Sequence, residues 1–120
     1  MTEDLTLTLT VHVTDEDIEK GIPCKYWACP ITLAAARAAQ EAGYYVVTAE
    51  TRRKHCIIMV HNRSLPGDYD HSLKAKLPDE AWDFVKTFDA ASWDPNQKRP
   101  GPLEFKLQFR EINPCPNMPD

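Results

Sequence analysis

This chain predicts an α+β fold: a two-layer sandwich with two helices on one face of a mostly antiparallel sheet. Three observations carry that expectation. Residues 5–13 alternate with a period of two, setting Leu5, Leu7, Leu9, Val11 and Val13 against Thr6, Thr8, Thr10 and His12. Between an opening Pro30 and a closing Gly43, Ile31, Ala34, Ala35, Ala38 and Ala42 fall on one stripe of a helix. Towards the other end, Leu103, Phe105, Leu107 and Phe109 alternate with Glu104, Lys106, Gln108 and Arg110. Strand periodicity at both ends and helical periodicity between them are satisfied together when helices cover one face of a sheet.

The first strand has one apolar face to bury and one Thr/His face for solvent. Thr14 follows with Asp17 three residues on, the spacing of a capping box, and Asp15, Glu16 and Asp17 suit the positive end of a short helix. Gly21 closes that helix after about two turns. Pro30 belongs at the first position of the next helix, where its missing N–H has no partner to lose. Gly43 supplies that helix's left-handed terminating residue. Residues 44–51 and 56–62 are rich in β-formers, and the polar break at 52–55 makes them a hairpin. Its tip lacks the Asn-Gly signal of a two-residue turn. Pro66, Gly67 and Asp68 mark a turn-rich loop over 64–71. Residues 72–77 alternate Leu73, Ala75 and Leu77 with Ser72, Lys74 and Lys76, the pattern of a further short strand. The second long helix starts at Pro78 and carries Ala81, Phe84, Val85 and Phe88 on its apolar stripe. The expected order is β-α-β-β-(β)-α-β, a split βαβ (ferredoxin-like) arrangement over residues 1–112. Residues 113–120 read as a proline-rich tail.

At 120 residues the chain suits one domain with one core. A net charge of −4 argues against bulk attraction to nucleic acid or anionic membrane. No apolar run approaches the length of a membrane span. The beginning M-T-E-D-L-T has neither the basic nor the apolar region of a signal peptide, so a cytoplasmic setting with reduced thiols is expected.

Four blocks, H-V-T-D-E-D-I-E-K-G, C-P-I-T-L-A-A-A-R-A, L-P-D-E-A-W-D-F-V-K-T-F-D-A and P-L-E-F-K-L, occur in that order. Together they resemble a family of small uncharacterised accessory proteins of actinobacteriophages. The resemblance covers about half of the chain, which departs from it in the basic region 52–55 and the proline-rich tail. It implies a phage accessory protein acting in the cytoplasm of a host bacterium, and it carries over no functional residue.

Several constellations invite chemistry. Cys24 and Cys29 in one tight loop offer half a zinc site, to be completed by Cys56, Cys115 or a histidine, but there is no second matching pair. Cys29, just before a helix, is placed where a thiolate would be favoured, as a reactive or disulfide-forming thiol would need, but buried or half-buried structural thiols are the leading reading. His12, His55, His61 and His71 share no metal-ligand spacing. Cys56 and His61, five residues apart, point to opposite faces of a regular strand and make no nucleophile–base pair. Asp68, Asp70 and His71 read as solvated turn residues and not as a divalent-ion loop. Single scattered glycines exclude a phosphate-binding loop.

Two groups remain. Arg52, Arg53, Lys54 and His55 make a basic hairpin tip, with Arg63, Tyr44 and Tyr45 nearby. Nucleic acid is disfavoured there because Cys, Ile, Met and Val stand where stacking aromatics belong. Tyr26 and Trp27, between the two cysteines, either pack over an end of the core or stand exposed as interface anchors, and Trp93 admits the same two readings. The resulting expectation is a non-enzymatic protein that binds a host or phage protein through Tyr26, Trp27, Arg52, Arg53, Lys54 and His55. It has no catalytic residue, metal or cofactor, and self-association into a homodimer through a sheet edge is a variant. The alternative is a small-ligand or nucleotide sequestering protein with an Arg- and Tyr-lined pocket at an oligomer interface, and a nucleic-acid-binding module ranks below it.

Overall fold

A computed structural model describes residues 6–61 and 71–112. Its elements are β1 (Thr6–Val13), α1 (Asp15–Lys20), α2 (Pro30–Glu41), β2 (Tyr45–Arg52), β3 (His55–His61), β4 (His71–Lys76), α3 (Asp79–Ala90) and β5 (Leu103–Glu111). The strands form one five-stranded antiparallel sheet in the order β1-β5-β4-β3-β2. The α+β class is as the periodicities predict, and the segment 72–77, whose place in the sheet the periodicity leaves open, falls largely in β4 at His71–Lys76. The expected tail at 113–120 and most of the loop at 64–71 lie outside the described residues.

The split βαβ order is not the one adopted. That arrangement seats the first strand inside the sheet, with a neighbour on either side. Here β1 is an edge strand whose single partner is β5, in register as Leu7↔Phe109, Leu9↔Leu107 and Val11↔Phe105. β2, β3 and β4 form a continuous meander and leave no place for β1 among them. α2 approaches both β1 and β2, the two edges, so the sheet curls around it. Ala34, Ala35 and Ala39 are fully buried, and their small side chains allow that close approach. α3 stands further off on Phe84 and Phe88, whose rings stack with centroids 6.2 Å apart.

The core lies on the concave side, built from Leu9, Val11, Val13, Phe105, Leu107, Phe109, Leu73, Ile58 and Val60 of the strands and Ile31, Phe84 and Phe88 of the helices. Each large side chain buried there contributes about 1.5–3 kcal/mol. The opposite, convex face carries Thr6, Thr8 and Thr10, then Lys106, Gln108 and Arg110, then Lys74 and Lys76, all exposed. No described element covers it.

α1 is capped as its sequence predicts. Thr14 Oγ1 accepts from the Asp17 N–H (3.2 Å), and Asp17 Oδ2 accepts from the Thr14 N–H (2.9 Å). Gly21 ends the helix in an extended conformation, with φ −65°. Glycine is required there for space: a Cβ would stand 2.6 Å from the Pro30 ring and 2.9 Å from the Asp17 carbonyl oxygen. Gly43, with φ +99°, is the residue that needs glycine's conformational freedom.

Candidate functional site

Gly21 and Pro30 close the neck of a loop, residues 22–29, between α1 and α2. The Ile22 N–H donates to the Ala28 carbonyl (2.8 Å), and the Ala28 N–H to that of Lys25 (3.0 Å). Cys24, at φ 62°, donates its N–H to Asp89 Oδ1 (2.9 Å) and so ties the loop to α3. The Tyr26 carbonyl accepts twice, from the Thr32 hydroxyl at 2.6 Å and from the Thr51 N–H at 2.9 Å. Thr32 and Thr51 are buried, and their hydroxyls lie 2.8 Å apart. With the Thr32 proton engaged by the carbonyl, Thr51 is the donor of that pair. The loop backbone is thus fastened to α2 and to the end of β2 at one atom.

The side chains leave this anchorage for solvent. Tyr26 is 42% and Trp27 58% exposed, in a T-shaped pair with centroids 5.5 Å apart and an interplanar angle of 81°. The Arg52 guanidinium lies over the Tyr26 ring at 4.5 Å, and Lys25 Nζ lies 5.5 Å from the Trp27 centroid. Glu50 Oε2 accepts from Arg52 Nε at 2.7 Å and holds the guanidinium in place. Two of the sequence readings therefore converge on one patch, in which Tyr26 meets both Trp27 and Arg52.

The other three predicted residues stand apart from the aromatics. Arg53 and Lys54 form a two-residue turn, Arg53 at φ 51°, and the Lys54 carbonyl accepts from the Leu77 N–H (2.7 Å). His55 sits half-buried, opposite Arg52 on β2 and Lys76 on β4. Burial, then Lys74 and Lys76, hold its imidazole below the ordinary histidine value. Lys25 and Glu50 were missed from sequence, as were the fastening threonines. Nothing local in Thr51 signals a partner 25 residues away at Tyr26.

Of the other candidates, Cys29 is buried as its leading reading expects, and only the lowered thiolate pKa is corrected. It stands at the N-cap of α2, but burial pushes its thiol up to about 11 and outweighs the favourable N–H groups of Ile31 and Thr32. Burial pushes Cys56 up to about 12. Cys24, Cys29 and Cys56 are free thiols, and Cys24 is exposed. His71 is also corrected: it is no solvated turn residue but begins β4, buried, with Nδ1 at 2.5 Å from Glu111 Oε2. Asp68, Asp70, Arg63 and Cys115 lie outside the described residues. Trp93 is exposed, which removes the core reading for it.

Among the described residues no group of three or more His, Cys, Asp and Glu side chains is arranged to hold a metal ion. Nor is any helix among them long and apolar enough to cross a membrane. An open groove of about 440 Å³ runs over His12, Thr14, Asp15, Pro102 and Glu104, with His12 Nδ1 3.0 Å from Glu104 Oε1. Compared with protein-family models, with curated proteins and with solved structures, the chain matches none.

Proposed function

We propose that this chain is a non-enzymatic binding protein whose anchor for another protein is the Tyr26–Trp27–Arg52 patch. The observation that supports it best is two large aromatic side chains held in solvent by a backbone fastened at Thr32 and Thr51. A rigid aromatic pair beside an arginine is the composition of an interface hot spot, and its fixed backbone spares the entropy of ordering on binding. The setting proposed with it is the cytoplasm of a host bacterium, as the resemblance to actinobacteriophage proteins implies, and the partner is a host or phage protein. That resemblance rests on the sequence blocks alone.

The test is quantitative capture from actinobacterial lysate, treated with nuclease, by the wild-type chain and by the Trp27→Ala and Tyr26→Ala variants. A hot-spot anchor is worth about 2 kcal/mol or more. A stoichiometric partner should therefore bind each variant at least roughly tenfold more weakly while far-UV circular dichroism stays unchanged. Equal capture by all three proteins would remove the patch from the interface.

A further inference from the structure

The convex sheet face carries cations that the fold itself leaves without partners. Lys74 and Lys76 on β4 and Lys106 and Arg110 on β5 are exposed there. Among the described residues, the two acidic side chains that share the face are already engaged, Glu50 by Arg52 at 2.7 Å and Glu104 by His12 at 3.0 Å. None of the four cations makes an ion pair among the described residues. Lys74 stands directly opposite Arg110 in the β4–β5 register, a like-charge pair that works against the sheet. The charge of Lys74 and Lys76 is felt at His55. Carboxylates are plentiful elsewhere, in Asp15, Glu16 and Glu19 of α1 and Asp79, Glu80 and Asp83 of α3. Among the described residues, α1 and α3 are thus mostly acidic, while the convex face of β4 and β5 is mostly basic.

We propose that this face binds single-stranded nucleic acid through its phosphate backbone, at a site separate from the Tyr26–Trp27–Arg52 patch. Charge complementarity selects a polyanion, and the surrounding side chains select its chemistry. Thr6, Thr8, Thr10, Ser72 and Gln108 lie among the cations, and such hydroxyls and amides join Lys and Arg in contacting phosphate oxygens. Residues two apart on a strand, such as Lys74 and Lys76, are about 6.8 Å apart, the interval between phosphates of an extended single strand. A flexible strand follows a convex surface, which a straight duplex meets along a line. Ile57 and Met59 are half-buried on the same face and give bases no stacking platform, and Tyr45 is exposed only at its edge, so the contact rests on the phosphate backbone.

The net charge of −4 opposes bulk attraction, so binding here rests on the local field of the four cations. In the solvent in front of the face that field extends about 8 Å at physiological salt, so the attraction is short-ranged and salt-sensitive. An acidic protein is the less fitting occupant, because the centre of the face holds no exposed aromatic anchor.

The experiment is fluorescence anisotropy of a labelled dT20 oligonucleotide titrated with the full chain between 20 and 200 mM salt. Four neutralised phosphates give a slope of log K against log salt of about −3, at roughly 0.7 for each. Lys74→Gln and Lys106→Gln should each reduce the slope by about 0.7. Lys86→Gln on α3 should leave it unchanged, and so should Trp27→Ala. Removing Lys74 also relieves Arg110, so that variant should melt no lower than wild type, and lost binding cannot be ascribed to unfolding. Absence of binding at 20 mM salt, or identical slopes for all variants, overturns the proposal. So does poly-L-glutamate displacing the labelled strand at lower concentration than unlabelled dT20, which would assign the face to an acidic polypeptide.

Discussion

Asp17 and Arg37 do more for the fold than their positions in sequence suggest. Arg37 donates to both carboxylate oxygens of Asp17, at 2.8 and 2.7 Å, and to the His12 carbonyl at 2.8 Å. One guanidinium thereby joins α1, α2 and β1. Burial raises the Asp17 pKa, but the Arg37 and Thr14 hydrogen bonds outweigh it and the carboxyl sits below its ordinary value. A carboxyl depressed in the folded state contributes stability in full above its unfolded pKa, about 3.9, and loses it as pH falls through the folded value. The urea midpoint should therefore drop below about pH 4. Asp17→Asn should lower the midpoint at pH 7 and flatten that acid limb. Arg37→Ala should cost about 1–2 kcal/mol, since half-exposed Arg37 is partly screened while Asp17 loses its partner. An acid limb that Asp17→Asn leaves unaltered would refute this account. The cysteines make a second test at the same scale. With thiols raised to about 11 and about 12, Cys29 and Cys56 should resist iodoacetamide at pH 8 in the folded protein, whereas exposed Cys24 alkylates. Mass mapping of the labelled peptides checks it.

Among the elements, the β2–β3 hairpin and the loop at 22–29 behave as one unit. Pairing of Arg52 with His55 leaves a two-residue turn, and its first residue, Arg53, takes a positive φ that glycine would adopt without strain. Arg53→Gly should raise stability by about 0.5–1 kcal/mol, the relief being larger than the added chain entropy. Thermal melting measures it, and a lower melting temperature would show that the Arg53 side chain makes a stabilising contact of its own. The strained residue follows Arg52 of the proposed protein-binding patch directly in the chain. The neck of the loop depends on Gly21 fitting against Pro30, a packing contact outside the patch.

Across the whole molecule, α2 is the organiser. Its alanine face lets the curled sheet bring both edge strands against one helix. The same curl sends the large apolar side chains inward and turns the polar face of each strand outward, so the basic residues of β4 and β5 collect on one convex surface. The two proposed surfaces follow from these two features: the locked loop at the β2 end and the bare face across the middle strands. They are separable by variants, since Trp27→Ala tests one and Lys74→Gln the other.

Local chemistry alone determined most elements of this protein. Period-two alternation marked β1 and β5, Pro30 and Gly43 bounded α2, and Thr14 with Asp17 announced the cap of α1, because each signal acts within a few residues. The aromatic pair and the basic tip were also legible as unusual residue groups. The tertiary structure alone decided that β1 lies at the edge beside β5, that the Tyr26 carbonyl meets Thr51, and that Lys74 faces Arg110. It also decided that burial overrides the helix N-terminus at Cys29. These depend on strand order and burial, which join residues far apart in the chain, and no short-range pattern records which distant strand a residue will face.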